Sequence, residues 1–297
     1  MRPRDIAVYL FLAIVWGLSF LVLVKAVEAF GWIGAVTLRA LMASATLYAL
    51  ARALRRRLDF SLGWKPLFVV GATTVAGQLI GLSYAAPLIG TAMSAILVAT
   101  IPLFSMIIGA FWGLERINAH RLAGLALGIF GIVLLVGFPA APVTPAFLFG
   151  CAAALFGSFS AAFGSNYASR WLGRAGSWEV TIGAFFFGGL MTFPFLAAVP
   201  VPALPHAVDL VWLVVLACGM SALTYVLYFG LVASVGATRA ISVEFAVTAV
   251  AVAIGALALG EPFSLIQAAG AVVIVAGCAI VLGLFPMARS AGPRVEH

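Results

Sequence analysis

Gly109-Ala110-Phe111-Trp112-Gly113-Leu114-Glu115 returns in outline 146 residues later as Gly255-Ala256-Leu257-Ala258-Leu259-Gly260-Glu261, with its first glycine, its alanine and its glutamate in register. The register extends outward: Gly90 matches Gly236, Ala123 matches Ala269, Gly124 matches Gly270, Gly131 matches Gly277 and Gly137 matches Gly283. An offset held over such a length is expected from one module duplicated and fused. Internal symmetry of this kind points to a transporter.

Composition sets the solvent. Hydrophobic residues make up 65% of the chain and charged residues 8%, with mean hydropathy +1.21, whereas a soluble domain carries roughly 25% charged residues. No water-soluble surface can be built from this, so the chain is expected to be an all-α integral membrane protein. Apolar runs place ten spans near 6–26, 31–54, 66–85, 90–113, 120–138, 146–168, 178–198, 209–230, 238–258 and 264–285, each long enough for a ~30 Å hydrocarbon core. The first run could pass for a signal peptide, but it is long for one and lacks a convincing cleavage site, so it is kept as a span.

Charge gives the orientation. The net charge is +7, yet the basic residues lie between apolar spans rather than on one face, which speaks for topology and against a nucleic-acid partner. With the N-terminus cytoplasmic, 14 of the 16 Lys and Arg fall inside; Lys25 falls outside and Arg39 within a span. Both termini are then expected on the inner side of a bacterial plasma membrane. Five spans per half is an odd number, so the halves, 1–140 and 146–286 ahead of a 287–297 tail, should be inverted copies. Glu115 would face the inside and Glu261 the outside. Such twins can expose a shared chamber to each side in turn.

Catalytic chemistry has little to work with. Cys151, Cys218 and Cys278 sit singly in apolar segments, and His120, His206 and His297 fall in loops or at the end. No metal-ligand, nucleophile-elbow or nucleotide-binding spacing occurs. Neither cofactor nor enzyme activity is expected; an intramembrane enzyme or lipid scramblase is the remote alternative.

At this point the chain resembles the drug/metabolite transporter superfamily, in the branch with two EamA-type repeats. The resemblance rests on Trp16-Gly17 with Phe20, on Arg39, on Ile101-Pro102-Leu103-Phe104 before Leu114-Glu115-Arg116, and on Gly124 and Gly131. It repeats in Leu259-Gly260-Glu261-Pro262, Gly270 and Gly277. One departure is that Thr248 stands where the second module would carry the counterpart of Pro102. The resemblance implies a ten-helix secondary carrier of small organic solutes. Many members export amino acids or related metabolites; others take up choline-like or vitamin-like solutes.

Two ionisable residues lie well inside spans, Arg39 at ~12 Å and Glu244 at ~9 Å depth by 1.5 Å per residue. Charge there costs at least ~2.5–3.5 kcal/mol in lipid, so both should face the bundle interior. The depths leave ~9 Å of vertical separation in a ~30 Å core, which suggests two separate charged sites rather than an ion pair. Glu244 is a candidate carrier of a coupling proton or partner of a substrate amine. Arg39 would meet a carboxylate, or instead fix helix packing as the superfamily's arginine there suggests.

Polar and aromatic faces add candidates: Trp16, Ser19 and Phe20; Thr74, Gln78 and Gly81 with Tyr84 nearby; Gly157, Ser160 and Gly164; Ser221, Tyr225 and Tyr228. They either line a chamber for a small amphipathic solute or serve close packing. Gly124, Gly128 and Gly131, like Gly270 and Gly277, allow close helix contact as a scaffold pair or a homodimer seam, leaving monomer and homodimer both open. Pro102 should bend its helix, as a hinge or to shape the chamber. Arg55-Arg56-Arg57 serves as an orientation anchor or meets anionic lipid head groups.

Overall fold

Where the first helix breaks fixes how the bundle is read. The computed structural model describes residues 2–114, 118–136, 144–199, 201, 205–258 and 265–282, which are helical apart from caps and short connections. Glu115, Glu261, Gly137, Gly283 and the 287–297 tail lie outside the described residues. Helix α1, Pro3–Ala53, runs 51 residues, or ~76 Å at 1.5 Å per residue, more than twice a hydrocarbon core. It turns back on itself at Gly31, whose φ of 70° and ψ of 166° suit glycine alone. Two helical spans therefore meet at Gly31, on either side of which two were expected.

The next element departs from expectation. Helix α2, Trp64–Val70, passes through a π-helical segment, Gly71–Gly77, into α3, Gln78–Val98. The boundary expected between 85 and 90 is absent, because α3 continues through Pro87, a residue tolerated in membrane helices whose neighbours re-satisfy the freed backbone. The chain breaks instead at residues 99–100 and resumes as α4, Ile101–Phe111. Pro102 thus does not bend a helix from within. It occupies the first turn of α4, where its missing N–H costs nothing. Leu97, just before the break, keeps its carbonyl occupied by the Thr100 N–H at 3.1 Å, the Thr100 hydroxyl at 2.6 Å and the Ser158 hydroxyl at 2.9 Å.

Helices α5, Ala119–Val136, and α6, Pro145–Trp171, follow, the latter capped by Thr144, whose hydroxyl accepts from the Phe147 N–H at 3.2 Å. Helix α7, Ser177–Thr192, ends in a 3-10 turn, Phe193–Ala197. Helix α8, Ala207–Val214, repeats the earlier design: a π segment, Val215–Leu223, leads into α9, Thr224–Val235. Gly236, at φ 88°, closes α9. The span expected over 238–258 is split into α10, Ala237–Ile241, and α11, Val243–Ala258, at Ser242. The Ser242 hydroxyl donates to the Arg239 carbonyl at 2.8 Å, a local bond that competes with the helical ladder. Helix α12, Leu265–Leu282, is the last described.

Five helical stretches among the described residues are long and apolar enough to cross a membrane: Pro3–Ala53, Trp64–Ile89, Pro145–Trp171, Ser177–Ala197 and Ala207–Val235. Helix α1 packs on α7, the second π segment, α9 and α11; α3 packs on α6; α5 packs on α12. Phe111 and Leu265 stand 86% and 90% exposed, as side chains that meet acyl chains should.

The glycines set two of these seams. A methyl group added at Gly131 would stand 2.8 Å from the Ile274 amide nitrogen, and one at Gly277 would stand 2.7 Å from that of Gly128. Gly124 and Gly270 contribute to the same α5–α12 contact. This seam lies within one chain. Phe245, fully buried on α11, wedges its ring against Gly128.

Candidate functional site

The two helix breaks meet at one cavity, beside which the helices that follow the two π segments also run. It measures about 50 Å³ and is lined by Trp16, Ser19, Phe20, Leu23 and Arg39 of α1, Gln78, Leu79, Leu82 and Val98 of α3, Tyr225 of α9 and Glu244 of α11. Val98 ends α3 at the first break, and Glu244 is the second residue of α11 after the other. They are also 146 positions apart, as are Leu79 and Tyr225, so equivalent places in the two halves meet across the chamber. Interrupted helices around a central site are a recurring device of transporters.

The second π segment supports one polar wall through Ser221. Shifted by 146, Gly71–Gly77 falls on 217–223, within Val215–Leu223. A π turn widens the helix and leaves carbonyls to be satisfied. Ser221 takes one of them, donating to the Leu216 carbonyl at 2.6 Å, while its oxygen accepts from Arg39 Nε at 2.6 Å. Arg39 is 5% exposed, and its terminal nitrogens have no hydrogen bond to any described residue. Glu244, 8% exposed, likewise has no side-chain hydrogen bond among the described residues. No direct ion pair joins them. The expectation of two separate charged sites is nevertheless corrected: both charges line one chamber, because the break at Ser242 brings Glu244 to the wall at the start of α11.

Aromatic rings form the floor. Trp16 donates from Nε1 to the Thr224 hydroxyl at 2.9 Å, and its ring centroid lies 5.4 Å from Tyr225 and 5.3 Å from Tyr228. Tyr228 sits one layer below, hydrogen-bonded to Ser165 at 2.7 Å. Ser19 lines the chamber while donating to the Trp16 carbonyl at 2.8 Å. Below this floor a polar layer closes the bundle towards the start of α1: Asn166 Nδ2 donates to Ser105 Oγ at 2.8 Å, Ser105 meets Thr238 at 3.0 Å, and Tyr9 meets Ser242 at 3.3 Å.

Trp16, Ser19, Phe20, Arg39, Gln78, Tyr225 and Glu244 thus come together, with Ser221 and Tyr228 directly behind. Tyr84, Ser160, Thr74, Gly164, Gly81 and Gly157 do not line the chamber. Tyr84 is 38% exposed and packs edge-on against Trp32 at 5.2 Å; six residues past Gln78 is ~240° around the helix, away from the chamber. Ser160 belongs to the seam of α6 with the first π segment, pressed against Gly77. Thr74 and Gly164 meet in that seam too.

Sequence reasoning missed Thr224, Asn166 and Glu179. Asn166 is a fully buried amide, and an amide in an apolar span needs partners, which was the available signal. Glu179, 5% exposed at the start of α7, accepts from the Asp59 N–H at 3.2 Å. Its burial depends on that loop and left no trace in the local sequence.

Comparison with known proteins agrees with this architecture. A solved crystal structure superposes with a TM-score of 0.79 at 19% identity, covering 96% of this chain and 99% of that one, a likeness of fold. An uncharacterized transporter of Archaeoglobus fulgidus is 24% identical over 90% of this chain and 94% of its own length. Protein PecM of Dickeya dadantii is 28% identical over 99% of this chain and 97% of its own. The uncharacterized transporter YoaV of Bacillus subtilis is 24% identical over 70% of this chain and 71% of its own. The EamA-like transporter family matches twice, over residues 5–137 and 148–283. With nearly its whole length taken up by those two matches, the chain belongs to the EamA-like transporter family and is a membrane transporter.

Proposed function

We propose that this transporter is a secondary active exporter of amino acids or related metabolites, working by alternating access between two inverted five-helix halves, 1–140 and 146–286, in a bacterial inner membrane with both termini cytoplasmic. The observation that carries the reading is one chamber lined by an arginine and a glutamate that are not paired with each other, together with Trp16, Phe20 and Tyr225. A zwitterionic solute satisfies both charges at once, its carboxylate on Arg39 and its ammonium on Glu244 against the faces of Trp16 and Tyr225. At about 50 Å³ the chamber has room for a few waters, at roughly 10–15 Å³ each. Organic ligands occupy pockets of ~300–1,000 Å³, so the walls must part to admit one.

In this reading the same carboxylate also carries the driving proton. Flux measured in proteoliposomes across a pH series tests this: Glu244→Gln is expected to flatten the pH dependence and slow gradient-driven flux. An unchanged rate and unchanged pH profile would remove Glu244 from coupling. A second reading, uptake of a choline-like cation, is favoured by one observation, that Arg39 is already bonded to Ser221 and so can serve packing. Competition of labelled amino acid flux by choline separates the two.

Aromatic support is testable independently of the substrate. Trp16→Phe keeps the ring contacts but removes the bond to Thr224, whose hydroxyl still donates to the Met220 carbonyl at 2.6 Å. The expected loss is about 1 kcal/mol of stability, read as a small drop in melting temperature in detergent.

A further inference from the structure

A second polar site lies away from the chamber, at the ends of the helices. Two adjoining cavities, about 440 and 780 Å³, share Arg2, Asp5, Gly230 and Ser234. The first adds Arg4 and Arg56, and the second adds Arg239. None of these four arginines forms an ion pair with a described carboxylate. The single acid, Asp5, is already engaged: one oxygen accepts from the Arg2 N–H at 3.0 Å and the other from the Ser234 hydroxyl at 3.2 Å. The buried Nε of Arg239 has no hydrogen-bond partner. An unpaired buried donor among four guanidinium groups, with only the Asp5 carboxylate to set against them, leaves a net positive site that calls for an anion.

The surroundings choose which anion. Arg2 and Arg4 open α1, Arg56 follows its end, and Gly230 and Ser234 lie in the last turns of α9, so the cluster stands where spans meet the head-group layer. Arg56 lies over the Trp178 ring at 5.2 Å, an aromatic at the height membranes favour. The rest of the wall is largely apolar, with Val8, Val226 and Leu231. We infer that this cleft binds the phosphodiester of an anionic phospholipid, its phosphate held by Arg2, Arg4, Arg56 and Arg239 and its glycerol and upper acyl chain on the apolar wall. A free phosphate ester would use the arginines but not the wall.

The test uses the purified full-length protein in detergent, titrated with phosphatidylglycerol, phosphatidylcholine or glycerol 3-phosphate while its melting temperature is read. Phosphatidylglycerol is expected to raise the melting temperature and the other two to leave it unmoved. The exposed pair Arg4→Gln/Arg56→Gln should need about tenfold more phosphatidylglycerol for the same rise. Arg55→Gln/Arg57→Gln, changed on neighbouring basic surface outside both cavities, should titrate as the parent does. Native mass spectrometry supplies a second reading, with less phosphatidylglycerol retained by Arg239→Gln. An unaltered titration for the Arg4/Arg56 pair, an equal response to phosphatidylcholine, or the full rise with glycerol 3-phosphate alone would overturn the assignment.

Discussion

Replacing Arg39 with glutamine is expected to cost at least about 30-fold in affinity for a carboxylate-bearing solute, since losing one partner of a desolvated, hydrogen-bonded charge pair costs about 2–5 kcal/mol. The fold should survive the change. Ser221 keeps its bond to the Leu216 carbonyl at 2.6 Å, so no buried hydroxyl is orphaned, and glutamine needs less solvation than a guanidinium. Lysine is not expected to restore binding, because a single ammonium cannot both reach Ser221 and present a fork to a carboxylate. The measurement is equilibrium binding and proteoliposome flux with an amino acid beside its decarboxylated amine. Selective loss of the carboxylated member supports the zwitterion reading. Equal loss of both would leave Arg39 a packing residue.

The second large effect is on stability. Gly81→Ala is expected to lower the stability of the bundle by about 3 kcal/mol, at the upper end of the overpacking range. Its new methyl would stand 2.5 Å from the Ala153 carbonyl oxygen and 2.9 Å from the Gly157 Cα, both backbone atoms that cannot rotate away. A shift of α3 against α6 would follow, and Gly157 lies directly under Gln78 in the same seam, so the chamber wall would move with it. Gly219→Ala is the contrast, since nothing stands within 4 Å of its added methyl; it should be neutral or slightly stabilising through helix propensity. Melting temperatures of the two variants in detergent decide the matter. Equal values would mean that the α3–α6 seam yields more readily than its backbone contacts indicate.

Much of the chamber was legible in the sequence because bilayers punish misplaced polarity. Arg39, Glu244 and Gln78 stood out as polar groups in apolar runs, and Trp16, Tyr225 and Tyr228 lay on faces that had to turn inward. The apolar lining was not: Leu79 and Val98 carry no polar mark, and their match to Tyr225 and Glu244 at the 146-residue offset has meaning only once the chamber is seen. The helix breaks were not. Pro102 reads as an interior kink when its span is placed at 90–113, whereas the chain uses it to start α4. Nothing in the composition around Ser242 marks a break, because a serine interrupts a helix only when its hydroxyl turns back to a carbonyl. The π segments leave no hydropathy signature, since they change the width of a turn and not its polarity. Tyr84 was misassigned by sequence proximity to Gln78 rather than by angle around the helix.

The glycine contact of α5 with α12 has a mechanical meaning for transport. On the alternating-access reading proposed above, two rods that approach this closely would act as a strut between the two module copies, and the chamber would open by the remaining helices pivoting about it. Phe245, braced on it at Gly128 beside Glu244, then becomes the fulcrum through which occupancy of the carboxylate is felt by the moving parts.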